Sequence, residues 1–263
     1  MKRLSFILVA ILLSQSGFTQ IIDKSRIPAT TSSKKALQYY DSSLLAWREG
    51  RLHHIEYFGN LTLKEDPDFF MMNYYSALSN RWFRNEKLFK LYSTNAANCR
   101  QKLTSDEEIL RQAMVKMLEN PSINVTEFGK KIVEKYPKDL YAYYGLYLLQ
   151  ASCGDNRGQI KTLQNALKLK LDSAMLFNQL GYAYMAINKF DSAEIAFNKY
   201  LEFAKYKPNA YDSKGNYYRR IKEYQKAYDS YMKGYSMDTT FKMPYNKAIA
   251  LKKNILDTLK TKR

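Results

Sequence analysis

Residues 177–231 read FNQLGYAYMAINKFDSAEIAFNKYLEFAKYKPNAYDSKGNYYRRIKEYQKAYDSY and contain two copies of one pattern, 34 residues apart. In each copy a glycine lies four positions after an aromatic residue, and an alanine is followed, after three residues, by another aromatic residue. Six residue types that recur at one offset indicate a structural repeat rather than a coincidence. The recurring pairs are Phe177 and Tyr211, Gly181 and Gly215, Tyr184 and Tyr218, Phe190 and Tyr224, Ala193 and Ala227, and Phe197 and Tyr231.

This alternation of small and aromatic residues is typical of two antiparallel helices that pack closely. Gly181 and Ala193 remove bulk where the two backbones approach, and the aromatic side chains fill the space beside them. One such pair cannot bury its own apolar face, so neighbouring pairs must stack on each other.

The motif resembles that of the tetratricopeptide-repeat family. The first copy reads Phe177-x2-Leu180-Gly181-x2-Tyr184, and the second copy keeps the pattern except that Lys214 replaces leucine. The resemblance implies an all-α fold, namely a right-handed superhelical solenoid of antiparallel helix pairs with a C-terminal capping helix.

The pattern weakens toward the N-terminus. Tyr141-x2-Tyr144-Gly145 repeats the first-helix half, and its second helix is predicted over residues 159–170, whereas earlier segments keep helical periodicity with few landmark residues. The predicted organisation is a signal peptide over residues 1–19, a linker over 20–35, divergent helix pairs over 36–137, clearer repeats over 138–241 and a basic capping helix over 242–263.

The first nineteen residues have the layout of a secretory signal peptide. Lys2 and Arg3 precede an apolar run over residues 4–13, and small and polar residues follow. A membrane span needs about twenty apolar residues, so the short run favours cleavage over a retained anchor, which is the alternative. Cleavage between Thr19 and Gln20 resembles exported proteins of the Bacteroidetes type, without a cysteine for lipid attachment. We therefore expect a periplasmic or secreted protein with no transmembrane segment after cleavage.

The composition and the charge limit the classes of fold and partner. With 10 Gly and 6 Pro among 263 residues, a turn-dense all-β or collagen-like chain is excluded. The net charge is +17, and loss of Lys2 and Arg3 with the leader leaves +15. Residues 242–263 hold seven basic residues and one acid, Asp257. Such a segment is interpreted as a solvated cap face, with a polyanion contact as the alternative.

Most of the 23 tyrosines are interpreted as core packing, since many lie at repeat positions.

Motifs for catalysis and metal binding are missing. The chain has no phosphate-binding glycine loop, no nucleophile elbow and no zinc-protease motif. His53 and His54 are expected to point to different sides of a helix and are poor joint ligands. Cys99 and Cys153 are expected to be independent rather than bridged. We therefore predict no catalytic residue, no cofactor and no metal, although a hydrolase assembled from distant residues is a remote third possibility.

The tetratricopeptide resemblance implies a concave groove, lined by the first helix of each pair, that binds peptide segments of other proteins. Transferred by position, the groove residues are Asp139, Leu146, Gln150, Asn178, Tyr182, Met185, Asp212, Asn216, Arg219 and Arg220. Asparagine amides suit peptide backbones, and the two arginines suit carboxylates. Asp212 stands where the carboxylate-clamping branch of the family has a lysine, so that clamp is not expected.

Together these observations favour a non-catalytic protein-binding scaffold of the cell envelope. The alternative is a basic envelope-surface binder of polyanions, such as an acidic glycan or a phosphorylated lipid. Nucleic acid is not an expected partner, because export would separate the chain from it.

Overall fold

The structure is a computed structural model that describes residues 25–171 and 173–253. The predicted signal peptide and the last ten residues of the predicted capping helix lie outside them. Within the described residues the chain forms thirteen α-helices and no strand. They are α1 (Lys34–Arg48), α2 (Leu52–Glu65), α3 (Phe70–Trp82), α4 (Glu86–Ala97), α5 (Ser105–Glu119), α6 (Thr126–Lys135), α7 (Leu140–Ser152), α8 (Asn156–Lys168), α9 (Ser173–Ala186), α10 (Phe190–Phe203), α11 (Pro208–Arg220), α12 (Tyr224–Met237) and α13 (Lys242–Leu251).

Consecutive helices pack as pairs from α1 with α2 to α11 with α12, and each second helix also contacts the first helix of the next pair. The α11–α12 pair is antiparallel, because Gly234 near the end of α12 lies against the Pro208 carbonyl at the start of α11. Ala248 and Leu251 of α13 are buried against α12. The predicted all-α solenoid of helix pairs is thereby confirmed.

Two of the repeated glycines are required by the close approach of an aromatic ring. A Cβ atom on Gly181 would lie 2.7 Å from the Phe197 ring, and one on Gly215 would lie 2.5 Å from the Tyr231 ring. Both rings come from the second helix of the same pair, as the 34-residue pattern predicts. Gly145 differs, because the nearest atom to its Cβ position would be the Tyr74 hydroxyl of α3 at 3.5 Å, an ordinary contact.

Replacement by alanine should therefore change the free energy of unfolding differently at Gly215 and at Gly145. We expect Gly215→Ala to lower the free energy of unfolding by about 1–3 kcal/mol, because the fully buried Tyr231 ring must move. Gly145→Ala should be neutral or raise it by about 0.5–1 kcal/mol, because alanine favours a helix interior. Denaturant unfolding of both full-length variants checks this pair, and equal effects would contradict the assigned packing.

Helix α3 packs directly against α7, bypassing the α5–α6 pair between them in sequence. The Tyr75 hydroxyl donates to the Tyr141 carbonyl at 3.0 Å. The Tyr75 and Tyr144 rings stack with their centroids 5.9 Å apart. This contact covers part of the surface of α7, a helix on which the sequence predicts a groove.

The N-terminal helix pair also reaches across later pairs. Trp47 of α1 is buried, and its ring centroid lies 4.0 Å from that of Tyr144 and 5.8 Å from that of Tyr141, both on α7. The α1–α2 turn then continues toward the C-terminal half of the molecule. Gly50 in this turn has φ +71°, and a Cβ there would lie 2.9 Å from the Tyr200 hydroxyl of α10.

The contact of the α1–α2 pair with later helices extends to the start of the capping helix, α13. The His53 ring of α2 lies 6.0 Å from the ring of Phe241, the residue that precedes α13. His53 and His54 are adjacent, with ring centroids 4.1 Å apart. The expectation that they point apart is therefore wrong. His53 is in contact with Phe241 while the His54 ring stacks on Phe58, and these two contacts hold both rings at the same end of α2.

Candidate functional site

A hydrogen-bonded network joins α9, α11 and α12 on the side of the first helices. The Tyr182 hydroxyl donates to the Ser213 hydroxyl at 3.2 Å and accepts from the Asn216 amide at 2.8 Å. The Tyr231 hydroxyl donates to the Asn216 carbonyl oxygen at 2.9 Å. Burial raises the pKa of Tyr182 to about 12, so its hydroxyl remains protonated at neutral pH. The network fixes the position of Asn216 and uses both ends of its amide.

A buried ion pair lies beside this network. Lys247 of α13 donates to both carboxylate oxygens of Asp212, at 2.7 and 2.8 Å. The Asp212 side chain is 3% exposed and that of Lys247 is 28% exposed. Burial raises the pKa of Asp212, while Lys247 acts in the opposite direction. The capping helix thus supplies the cation that balances a buried carboxylate of α11.

Two arginines form the exposed edge of this surface at the end of α11. Arg220 donates to the Asn188 side-chain oxygen at 3.0 Å. Arg219 is exposed, and its guanidinium makes no ion pair or hydrogen bond within the described residues. Arg219 lies three positions after Asn216 on α11, so the two residues share one face of the helix. With Asp212 already paired, Arg219 is the cation available to an incoming carboxylate.

We use the name α9–α11 surface for Tyr182, Met185, Asn216, Arg219 and Arg220, which are half-buried or exposed. The five other residues predicted to line the groove are buried, with exposed fractions of at most 6%; they are Asp139, Leu146, Gln150, Asn178 and Asp212.

The burial of these five residues has separate causes. Gly129 of α6 packs on Leu146, and Gln150 lies against the start of α8. Asp139 caps α7 by accepting the Tyr141 amide at 2.9 Å, and its other oxygen accepts the Ile27 amide at 2.8 Å. Asn178 is 4% exposed, and its side-chain oxygen has no partner within the described residues.

Sequence reasoning missed several residues that shape this surface. Lys247 was assigned to a solvated cap face, and no repeat landmark marks it as the partner of Asp212. The distance of 35 residues between the two is close to one repeat, which places Lys247 on the neighbouring first helix. Tyr231 was predicted as packing, and it does pack, but its hydroxyl also positions Asn216.

The remaining acidic, histidine and cysteine side chains lie apart from this surface or from one another. No group of three His, Cys, Asp or Glu side chains suited to a metal ion occurs in the described part of the chain. Cys99 and Cys153 are free thiols. Burial raises the pKa of the Cys99 thiol, and its sulfur donates to the Asp68 carbonyl at 3.1 Å. Among the described helices, none is both long and apolar enough to cross a membrane.

Comparison with known proteins gives no match to a family model and none to a curated protein. The solved structures with similarity to this chain include three that are described here. A chain of the APC/C hetero-tetramer Cut9-Hcn1 shares 17% identity, with 82% of this chain and 42% of that chain covered and a TM-score of 0.45. A tetratricopeptide repeat protein from Parabacteroides merdae shares 14% identity over 84% of this chain and 100% of that chain, with a TM-score of 0.42. PilW, a widely conserved type IV pilus biogenesis factor, shares 12% identity over 83% and 100% of the two chains, with a TM-score of 0.46.

This chain therefore spans less than half of the matched Cut9-Hcn1 chain and the full length of the other two. Within the chain, Phe197 packs on Gly181 and Tyr231 packs on Gly215, which is the helix-pair packing that the tetratricopeptide resemblance implies.

Proposed function

We propose that this protein is a non-catalytic scaffold of the cell envelope that binds peptide segments of partner proteins on the α9–α11 surface. The observation that carries the proposal is the unpaired, exposed guanidinium of Arg219 beside a polar network that is already fully bonded. The network fixes the helix surface around Arg219, and the guanidinium itself stays free to bind a ligand.

The bonding of the network narrows the kind of peptide that fits. Because Tyr182 and Tyr231 use both ends of the Asn216 amide, Asn216 supports the surface rather than reading a ligand backbone. The peptide is then recognised by Arg219, with Arg220 beside it and Met185 as an apolar contact. A guanidinium pairs with a carboxylate through two parallel hydrogen bonds. We therefore propose a segment that carries an acidic side chain or a terminal carboxylate next to an apolar residue.

The envelope location rests on the sequence of residues 1–19 and on the absence of a lipid-acceptor cysteine after the apolar run. Fractionation of cells that express the full chain tests it directly. Recovery of the mature chain, starting near Gln20, from the envelope or the medium is expected. Recovery of the uncleaved chain in the cytoplasm would contradict this part of the proposal.

Site-specific photo-crosslinking tests the binding surface. A photoreactive amino acid at Met185 should give crosslinked partners from envelope fractions. The same group at Ile195, which is 65% exposed on the second helix α10, should give few. Equal crosslinking from the two positions would show that this surface is not the binding site.

Removal of the two arginines should weaken capture of the same partners without unfolding the protein. We expect Arg219→Ala with Arg220→Ala to lower capture about tenfold or more, since charge-assisted contacts each contribute about 1.5–3 kcal/mol. The melting temperature should stay within a few degrees, because both side chains are exposed. Unchanged capture by the double variant would contradict the assignment.

A salt series distinguishes the peptide from the alternative partner, a polyanion. Binding to a polyanion through many exposed lysines would weaken steeply as the salt concentration rises, whereas a peptide bound at one surface keeps most of its affinity.

A further inference from the structure

A non-helical stretch of the chain, residues 25–33, precedes α1 and contacts α5, the start of α7 and the residue after α2. We call it the N-terminal segment. Two of its backbone amides donate to side-chain carboxylates. The Ile27 amide donates to Asp139 at the start of α7, and the Thr30 amide donates to Glu107 of α5, both at 2.8 Å. The Thr31 hydroxyl donates to Asp66 at 2.6 Å.

The side chain of Ile27 completes this contact on the apolar side. It packs on the main core and lines a cavity between α3, α5, α6 and α7 that is too small for a water molecule. The other walls of the cavity include Tyr74, Leu110 and Ile132. We call this surface, with Glu107 and Asp139 as its polar edge, the N-terminal groove. Thus the segment shows one inserted β-branched side chain, followed three residues later by a threonine bound to a buried carboxylate.

The groove is acidic although the protein as a whole is strongly basic. Arg26, just before Ile27, pairs with Asp41 at 3.2 Å and lies 5.9 Å from the centroid of the Tyr141 ring. Glu107 is fully buried and also receives the Thr104 amide and hydroxyl, so its charge is held in place whether or not Thr30 is bound. A segment with a basic residue before its apolar residue therefore complements this groove.

The present occupant does not satisfy every group of the groove. The Tyr74 hydroxyl lines the cavity, its residue is 1% exposed, and it has no hydrogen-bond partner within the described residues. An isoleucine side chain offers no acceptor to it. The contact that Ile27 makes at this point is therefore apolar only.

We infer that residues 26–31 are an intramolecular ligand, and that the N-terminal groove binds extended peptides of partner proteins with a basic residue, a β-branched apolar residue and, three positions after it, threonine or serine. The segment competes with such peptides for the groove, because its covalent connection to α1 gives it a high effective concentration. This surface shares no residue with the α9–α11 surface, so the inference does not depend on the function proposed above.

A labelled peptide in trans tests the inference on the full chain. The probe is the sequence of residues 25–33, SRIPATTSS, and its binding is followed by fluorescence anisotropy. Ile27→Asp should release the chain's own segment, so this variant should bind the probe about tenfold more tightly than the unchanged protein. Adding Glu107→Gln to Ile27→Asp should weaken probe binding about tenfold, because the charge that receives the threonine is lost. A probe with aspartate in place of its isoleucine should not bind.

The α9–α11 surface supplies the matched control. Arg219→Ala with Arg220→Ala in the Ile27→Asp background should leave probe binding unchanged, so failure here and failure of the proposed function can be told apart. A folded Ile27→Asp variant that does not bind the probe would overturn the inference.

Amide hydrogen exchange of the unchanged protein decides the question even if Ile27→Asp does not fold. An exchangeable ligand must leave its groove without global unfolding, so the Ile27 and Thr30 amides should exchange about a hundredfold or more faster than amides in the middle of α7. Excess free probe should accelerate exchange in the segment and leave α7 unchanged. Protection of the segment equal to that of α7 would overturn the inference.

Discussion

Replacing Trp47 with alanine is expected to lower the free energy of unfolding by about 3–5 kcal/mol, the usual range for loss of a buried aromatic side chain. Trp47 is 5% exposed, and its ring packs on Tyr144 and Tyr141 of α7. The side chain holds α1 to a helix that is remote from it in sequence. Its removal therefore leaves a cavity at the contact between the N-terminal pair and the rest of the solenoid.

Denaturant unfolding with Leu45→Ala as the matched control measures this effect. Leu45 lies on the same helix and is 46% exposed, so its truncation should change stability by no more than about 0.5 kcal/mol. Equal, small effects at the two positions would mean that α1 does not pack on α7.

Replacing Lys247 with methionine should cost about 3 kcal/mol, because it leaves the buried Asp212 carboxylate without its cation. The change keeps an unbranched side chain, one atom shorter, and removes the ammonium group with its charge and its hydrogen bonds to Asp212. Lys242→Met is the control on the same helix, since Lys242 is exposed and should tolerate the change. Adding Asp212→Asn to Lys247→Met should recover much of the loss, because the buried charge is then absent as well. If the double variant is as unstable as Lys247→Met alone, loss of the Asp212–Lys247 ion pair is not the cause of the destabilisation.

The pH dependence of Lys247→Met provides a second measurement. The pKa of Asp212 is raised in the folded chain, so folding favours its protonated form. The resulting stability is fully present below the pKa of the unfolded chain, about 3.9, and is lost as the pH rises through the folded pKa. Without Lys247 the folded pKa rises further. The penalty of Lys247→Met should therefore be smaller at about pH 4 than at pH 7, and a penalty independent of pH would contradict this explanation.

The fold was predictable from the sequence where small and aromatic residues recur at one spacing. Gly181 with Phe197 and Gly215 with Tyr231 meet as the repeat requires, because one close approach of two backbones admits few residue types. The same signal was misleading at Gly145, which faces Tyr74 of another pair. A glycine in one sequence does not reveal which neighbour approaches it.

The binding surface was harder to predict, because the family pattern gives the face of a helix but not what covers it. Arg219 and Arg220 are exposed as predicted, at the end of α11. Asp139 and Asp212 are buried, since each is bonded to a residue from a distant part of the chain, Ile27 and Lys247 respectively. The Ile27 contact has no repeat spacing, and the Lys247 contact, although its spacing is close to one repeat, involves no landmark residue of the pattern.

The reach of the α1–α2 pair toward Tyr200 and Phe241 has a consequence for how the chain acquires its structure. A linear repeat array can begin to fold anywhere and grow by adding neighbours. Here the first pair remains incomplete until the last pairs have been synthesised, because its partners come from the opposite end of the chain. Such distant contacts slow folding and join the ends into one cooperative unit. A chain that is still incomplete would thus stay loosely structured at its N-terminus, the end that a leader would guide through a membrane first.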